Sequence, residues 1–207
     1  MPDVIFAGPT GRLEGKYQHQ KHKSAPIALI LHPHPRSGGT MNHRVAYELF
    51  YAFQRRGCSV LRFNFRGVGR SSGSFDNGIG EIEDLRAGLD FMSARYPEAD
   101  LWSAGFSFGA YVSLAAGAAD DRVSRLIGIA PALHMYDFSF LETSHKPKYF
   151  VQGEKDEICP LAHLQAFFEQ LPPPKTLQVV PGANHLFNGK VEEVGAALVR
   201  LLATEQR

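Results

Sequence analysis

A three-layer αβα sandwich around a mostly parallel, eight-stranded sheet is the fold this sequence predicts, as one domain over residues 1–207. Two observations predict it. Apolar runs of strand length alternate along the chain with amphipathic runs of helix length, the order that builds parallel strands joined by helical crossovers. The run Ile27-Ala-Leu-Ile-Leu31 is apolar at every position, as a strand covered on both faces must be.

The elements follow in order. Val4–Ala7 and Leu13–His19 read as an opening hairpin around Gly8-Pro-Thr-Gly11, and Ile27–Leu31 as the first buried strand. From Asn42 to Arg56 the apolar residues Val45, Leu49, Ala52 and Phe53 fall at helical spacing, with Asn42 as cap and Gly57 as stop. Ser59–Phe65 is the next strand, followed by a long polar loop through Gly80. Glu81–Tyr96 is an amphipathic helix carrying Ile82, Leu85, Leu89 and Met92 on one side and closed by Pro97. A short strand at 100–104 leads into a small-residue helix, Ala110–Ala119. Strands Arg125–Ala130, Lys148–Gln152 and Thr176–Val180 then alternate with helices Leu161–Leu171 and Val191–Leu202, and Pro172-Pro-Pro174 breaks the first of these helices. The loop from Leu133 to Pro147 is too short for a separate lid domain.

Composition narrows the function classes. Lys+Arg 22 against Asp+Glu 21 gives no electrostatic case for nucleic acid or an anionic membrane. The basic cluster Lys16, Lys21, His22 and Lys23 reads as a solvated turn. No stretch approaches the roughly 20 apolar residues that span a bilayer. The start, Met1 to Ala7, has neither the basic region nor the apolar core of a secretory signal. Cys58 and Cys159 have no metal-type spacing, so free thiols in a reducing cytoplasm are expected.

The chemistry centres on Gly105-Phe-Ser107-Phe-Gly109. This G-x-S-x-G lies between a strand and a helix, the setting of a nucleophile elbow. Only small residues fit two positions before and after a serine on so sharp a turn. Partners for it should follow later strands, because a parallel sheet gathers its chemistry at the strands' carboxyl ends. Asp156 follows Tyr149-Phe-Val-Gln-Gly153, and His185 follows Leu177-Gln-Val-Val-Pro-Gly182. Asp137, after the preceding strand, is the rival acid. A serine hydroxyl is a weak nucleophile at neutral pH, so His185 would accept its proton while Asp156 fixes the imidazole tautomer.

With serine, aspartate and histidine in that order, the chain resembles the α/β-hydrolase superfamily, in particular small, capless bacterial members related to dienelactone hydrolase. The resemblance covers nearly the whole chain. Dienelactone hydrolases themselves use a cysteine where this chain has Ser107. The resemblance implies Ser107, Asp156 and His185 as the triad, with the Phe108 N–H as one oxyanion donor and a second from the loop His32-Pro-His-Pro-Arg-Ser-Gly-Gly39. Pro33 and Pro35 have no N–H, which leaves His34 as that donor. The segment Arg66-Gly-Val-Gly-Arg-Ser71 resembles a structural turn common in the superfamily.

Other readings weigh less. His32, His34 and His43 have metal-like spacing, but no nearby cysteine or acid completes a closed structural site, so no metal is expected. Gly67-Val-Gly and Gly8-Pro-Thr-Gly11 do not open helices, so no dinucleotide cofactor and no oxidoreductase follows. A non-catalytic receptor or scaffold would not need a base placed for a serine. The expectation is therefore a cytoplasmic serine esterase, monomer or homodimer, without cofactor, cleaving short- to medium-chain acyl esters. Thioesterase and peptidase chemistry on the same triad are the alternatives. Met135, Tyr136, Phe138 and Phe140, with Leu186 and Phe187 beside His185, are expected to form its apolar wall.

Overall fold

The computed structural model describes residues 1–22 and 25–203, so Lys23 of the basic cluster lies outside the described residues. Eight strands and five α-helices follow one another as β1 (Asp3–Gly8), β2 (Gly11–Gln18), β3 (Ile27–Leu31), α1 (Arg44–Arg55), β4 (Ser59–Phe63), α2 (Ile79–Arg95), β5 (Leu101–Phe106), α3 (Phe108–Ala119), β6 (Val123–Ile129), β7 (Lys148–Gly153), α4 (Leu161–Gln170), β8 (Lys175–Val180) and α5 (Val191–Ala203). They form one sheet in the order β1-β2-β4-β3-β5-β6-β7-β8. β1 and β2 pair antiparallel, as do β2 and β4, and every other pairing is parallel.

Alternation along each strand sends side chains to two separate cores. Ala28, Ile30, Val60, Ala104 and Ile127 pack under Val45, Leu49 and Phe53 of α1 and Val194, Leu198 and Leu201 of α5. Leu29, Leu31, Leu61, Phe63 and Leu126 pack under Leu85 and Leu89 of α2, Val112 and Leu114 of α3 and Leu164 of α4. Helices α1 and α5 thus cover one face and α2, α3 and α4 the other. This is the expected sandwich. The segment between β6 and β7 holds only a one-turn 3-10 helix, Ser139–Leu141. Among the described residues no helix is long and apolar enough to cross a membrane.

Several boundaries move for reasons of tertiary contact. Helix α1 starts at Arg44, and its cap is His43, whose Nδ1 accepts from Val45 N at 3.3 Å. Asn42, the expected cap, instead offers its Oδ1 to the buried Arg62 guanidinium at 3.2 Å. Helix α2 starts at Ile79 because Glu81 turns back to accept from the Gly78 and Asp76 N–H groups at 2.8 and 2.9 Å. Strand β4 ends at Phe63, after which Asn64 Oδ1 accepts from Met41 N at 2.8 Å and Phe65 N donates to His32 Nε2 at 3.1 Å.

The glycine turn after β4 is a structural brace. Gly67 and Gly69 both have positive φ, at 72° and 58°. Just before them Arg66 grips Asp84 of α2, its Nη2 2.9 Å from Oδ1, with both side chains buried. Ser71 Oγ donates to the Asn64 carbonyl at 2.7 Å, which ties the far end of the turn back to the sheet.

Candidate active site

Ser107 sits at the junction of β5 and α3 with φ 56° and ψ −114°, a conformation that costs about 1–3 kcal/mol for a residue with a side chain. The flanking glycines make the turn possible. A Cβ on Gly105 would collide with the Gly109 carbonyl, and one on Gly109 would collide with the His32 carbonyl. Ser107 N donates to the Ile129 carbonyl at 2.9 Å, which fixes the elbow to β6.

Ser107 Oγ lies 3.1 Å from His185 Nε2, and His185 Nδ1 lies 2.8 Å from Asp156 Oδ2. The histidine and the aspartate are buried. Asp156 occupies the turn after β7. Its Oδ1 accepts from the Ile158 and Cys159 N–H groups at 2.9 and 2.7 Å. Its Oδ2 accepts from Gln152 Nε2 at 2.9 Å as well as from His185. Four donors hold this carboxylate in one orientation. His185 occupies the turn after β8, joined to the aspartate turn where Lys155 N donates to the Ala183 carbonyl at 2.8 Å. On its outer side Arg44 Nη2 donates to the Leu186 carbonyl at 2.9 Å and to Asn188 Oδ1.

Asp137 takes no part in this relay. It is exposed and accepts from Ser139 N and Ser139 Oγ at 2.8 and 2.9 Å, bonds that lower its carboxyl pKa and cap the 3-10 turn. His134 and His163 are exposed and distant in role, and His19 stacks on Tyr96 beside β2.

The loop after β3 is rigidly built. His32 donates from Nδ1 to the Pro33 carbonyl at 2.7 Å and accepts at Nε2 from Phe65 N, so both ring nitrogens are committed. Burial pushes its pKa down to about 4, against the opposing pull of the Pro33 carbonyl. His34 has φ −52° and ψ 122°, and its carbonyl accepts from Ser37 N and Gly39 N at 3.0 and 3.1 Å. The His34 and Phe108 rings are 5.1 Å apart, which sets this loop against the start of α3. Phe108 is the first residue of that helix, so its N–H has no intrahelical partner. His43 is likewise held neutral, near pKa 4, by burial first and then by the Arg44 guanidinium and the nearness of His185. The Nδ1 atoms of His34 and His43 each accept from a backbone N–H two residues on, so these ring nitrogens are used within their own turns.

The expected apolar wall is only partly present. Met135 and Leu186 are 54% and 41% exposed. Tyr136 stacks on Tyr111, its ring 4.4 Å away, and leans on Phe108. Together with Phe138 and Phe167 it lines a hollow of about 450 Å³ between the β6–β7 segment and α4, which Ser107 does not border. Phe187 is a correction. It is fully buried in the α1–α5 core, with its ring 6.2 Å from Phe106, and lines no open surface.

Two neighbours of Asp156 were not expected at the site from sequence, where Cys159 reads only as a free thiol. Gln152 is fully buried in β7, and the Cys159 thiol is pushed up to about 12 by burial and then by Asp156. A polar side chain inside an otherwise apolar strand was the available signal for Gln152.

The family model for the alpha/beta hydrolase fold matches residues 29–146. The chain belongs to the α/β-hydrolase fold family. A second model, for PhoPQ-activated pathogenicity-related protein, matches residues 120–207. This α/β-hydrolase is similar to a protein of unknown function from Agrobacterium tumefaciens, at 44% identity and TM-score 0.93, covering 98% of this chain and 95% of the other. It is similar to an α/β serine hydrolase homologue from Coxiella burnetii, at 40% identity and TM-score 0.92, covering 97% of each chain. It is also similar to a lidless α/β serine hydrolase from Xanthomonas campestris, at 36% identity and TM-score 0.90, covering 98% and 94%.

Proposed function

We propose that this α/β-hydrolase is a serine carboxylesterase that cleaves small esters of short to medium acyl chain through an acyl-enzyme. One observation carries the proposal: the continuous relay from Asp156 Oδ2 through His185 to Ser107 Oγ, at 2.8 and 3.1 Å. In this reading His185 Nε2 takes the hydroxyl proton as Ser107 Oγ attacks the ester carbonyl carbon. Asp156 keeps the other proton on Nδ1 and stabilises the imidazolium. The oxyanion is met by the N–H groups of Phe108 and His34, each donor of this kind being worth about 2.7–4 kcal/mol in the transition state. Collapse expels the alcohol, which takes the proton from His185. A water deprotonated by the same imidazole then releases the acid.

The substrate class rests on the surroundings. The β6–β7 segment contributes one short turn and no enclosing lid, Met135 within it is exposed, and Leu186, next to His185 in the chain, offers exposed apolar surface. Such an open wall suits small esters better than long lipid chains. The serine hydrolase description of the Coxiella and Xanthomonas proteins supports serine as the attacking group.

Labelling with a fluorophosphonate followed by peptide mapping tests the nucleophile. The expected adduct is on Ser107, and Ser107→Ala should lose it together with roughly 10⁴–10⁶-fold in kcat while remaining folded. Comparison of kcat/KM over esters and thioesters of graded acyl length tests the substrate class. Uniformly faster thioester cleavage would replace the carboxylesterase reading by a thioesterase one.

A further inference from the structure

The oxygen of Asp156, the sulfur of Cys159 and a ring nitrogen of His185 lie within 4.8 Å of one another, and all three residues are buried. A second observation concerns the same cluster. Gln152 Oε1 is buried without a hydrogen-bond partner, although the nitrogen of the same amide is bonded to Asp156 Oδ2 and to the Cys159 carbonyl at 2.9 and 2.6 Å. One sulfur, one imidazole nitrogen and one carboxylate oxygen are thus gathered beside the relay, and the amide bonded to that carboxylate keeps its own oxygen unused.

We propose that Asp156, Cys159 and His185 form a switch-off site for a thiophilic divalent cation of the Zn²⁺ type, with the Gln152 amide holding the Asp156 carboxylate in place from within β7. The geometry asks for little movement. Zinc bonds of about 2.0–2.3 Å at tetrahedral angles place neighbouring ligand atoms about 3.3–3.7 Å apart. The Nδ1–Oδ2 distance of 2.8 Å therefore opens by roughly half an ångström, and the sulfur closes in. Charge also balances, because a dication bound by one thiolate and one carboxylate leaves no net charge in a buried place.

The chemical consequence is an inverted tautomer. Metal bonding at Nδ1 displaces the proton carried there, and in the neutral imidazole that proton moves to Nε2. Cys159 releases its thiol proton to solvent, and Asp156 stays ionised. With a proton on Nε2 the imidazole no longer accepts one from Ser107, so hydrolysis stops until the metal leaves. The inhibition rests on the proposed esterase mechanism, but the metal site itself does not.

Two measurements separate these. Titration of the folded protein with Cd²⁺ should give a thiolate-to-cadmium charge-transfer absorption that saturates at one ion per chain. Zn²⁺ should inhibit ester hydrolysis, with recovery on adding EDTA. The Cys159 side chain has no part in hydrolysis, so Cys159→Ser and Cys159→Ala should keep kcat/KM in metal-free buffer. Both should lose the absorption and raise the half-inhibiting Zn²⁺ concentration by about tenfold or more. His185→Gln should weaken Cd²⁺ binding by a similar factor, whereas Ser107→Ala should bind it as wild type does. Equal Zn²⁺ inhibition of wild type and Cys159→Ser, or no thiolate absorption in the wild type, overturns the proposal. Cys159-dependent absorption in a protein without ester hydrolysis would leave the site standing and remove the esterase reading instead.

Discussion

Gln152 Nε2 and His185 Nδ1 converge on one oxygen of Asp156, at 2.9 and 2.8 Å, so a neutral amide inside β7 shares the carboxylate with the imidazole. The amide cannot ionise, and it occupies a lone pair that water would otherwise contest. The acid is therefore oriented from within the sheet, independently of the loop that carries the histidine.

That arrangement fixes which acid matters. Asp156→Asn keeps the shape but favours the wrong His185 tautomer, and kcat for ester hydrolysis should fall on the order of 10⁴-fold. Asp137→Asn disturbs only a turn cap and should cost far less. A reversal of the two effects would assign the acid to the loop after β6.

His34 tests the backbone donor. His34→Ala removes the imidazole and keeps the N–H, so activity should stay within about tenfold of wild type, whereas His34→Pro should lose roughly 10²–10³-fold in kcat with KM less affected. Circular dichroism must accompany the proline variant, because a proline there also restricts Pro33. Loss of turnover in a folded alanine variant would move the role to the ring.

Acid should unfold the protein partly through His32. Its folded pKa, about 4, lies below the ordinary value of 6.5, so the folded state resists protonation there. The stability this contributes is fully present above pH 6.5 and is lost as pH falls toward 4, a change of roughly 3 kcal/mol for one such group. Urea unfolding at a series of pH values measures it. His32→Gln should reduce the slope of the stability profile over that window, with His43 keeping its own share, and an unchanged slope would mean that His32 does not contribute.

The Arg66–Asp84 pair should dominate the stability of the glycine turn. Asp84→Ala leaves the buried guanidinium with only the exposed Asp76 carboxylate, 3.9 Å away, and should cost about 3 kcal/mol in urea unfolding. A cost below about 1 kcal/mol would place the pair among ordinary surface contacts.

The residues of the relay were legible because each sits at the end of a strand whose apolar run is local in sequence. Ser107 is also marked by two glycines whose absence would block the turn. What the chain hides is the direction of a loop side chain. Phe187 stands two residues from His185, yet its φ of 51° turns the ring into the α1–α5 core rather than toward substrate. Helix starts were displaced for a similar reason. The cap of α1 was decided by a guanidinium distant in sequence, Arg62, which occupies Asn42 and leaves the task to His43. Gln152 and Cys159 acquire meaning only once β7 brings them beside Asp156.

Strand β8 has a single neighbour, β7, and is partly exposed along most of its length, whereas the strand before Ser107 is flanked on both sides. The base is thus mounted on the edge of the sheet and the nucleophile in its middle. Edge strands open at lower free energy than the global fold. Warming should detach His185 while the central sheet still stands. Loss of turnover would then precede any change in the fluorescence of Trp102, which is packed in the α1–α5 core. The amides of β8 should likewise exchange their hydrogens before those of β3 and β5. The enzyme would report its own loosening as silence, well ahead of the collapse of its fold.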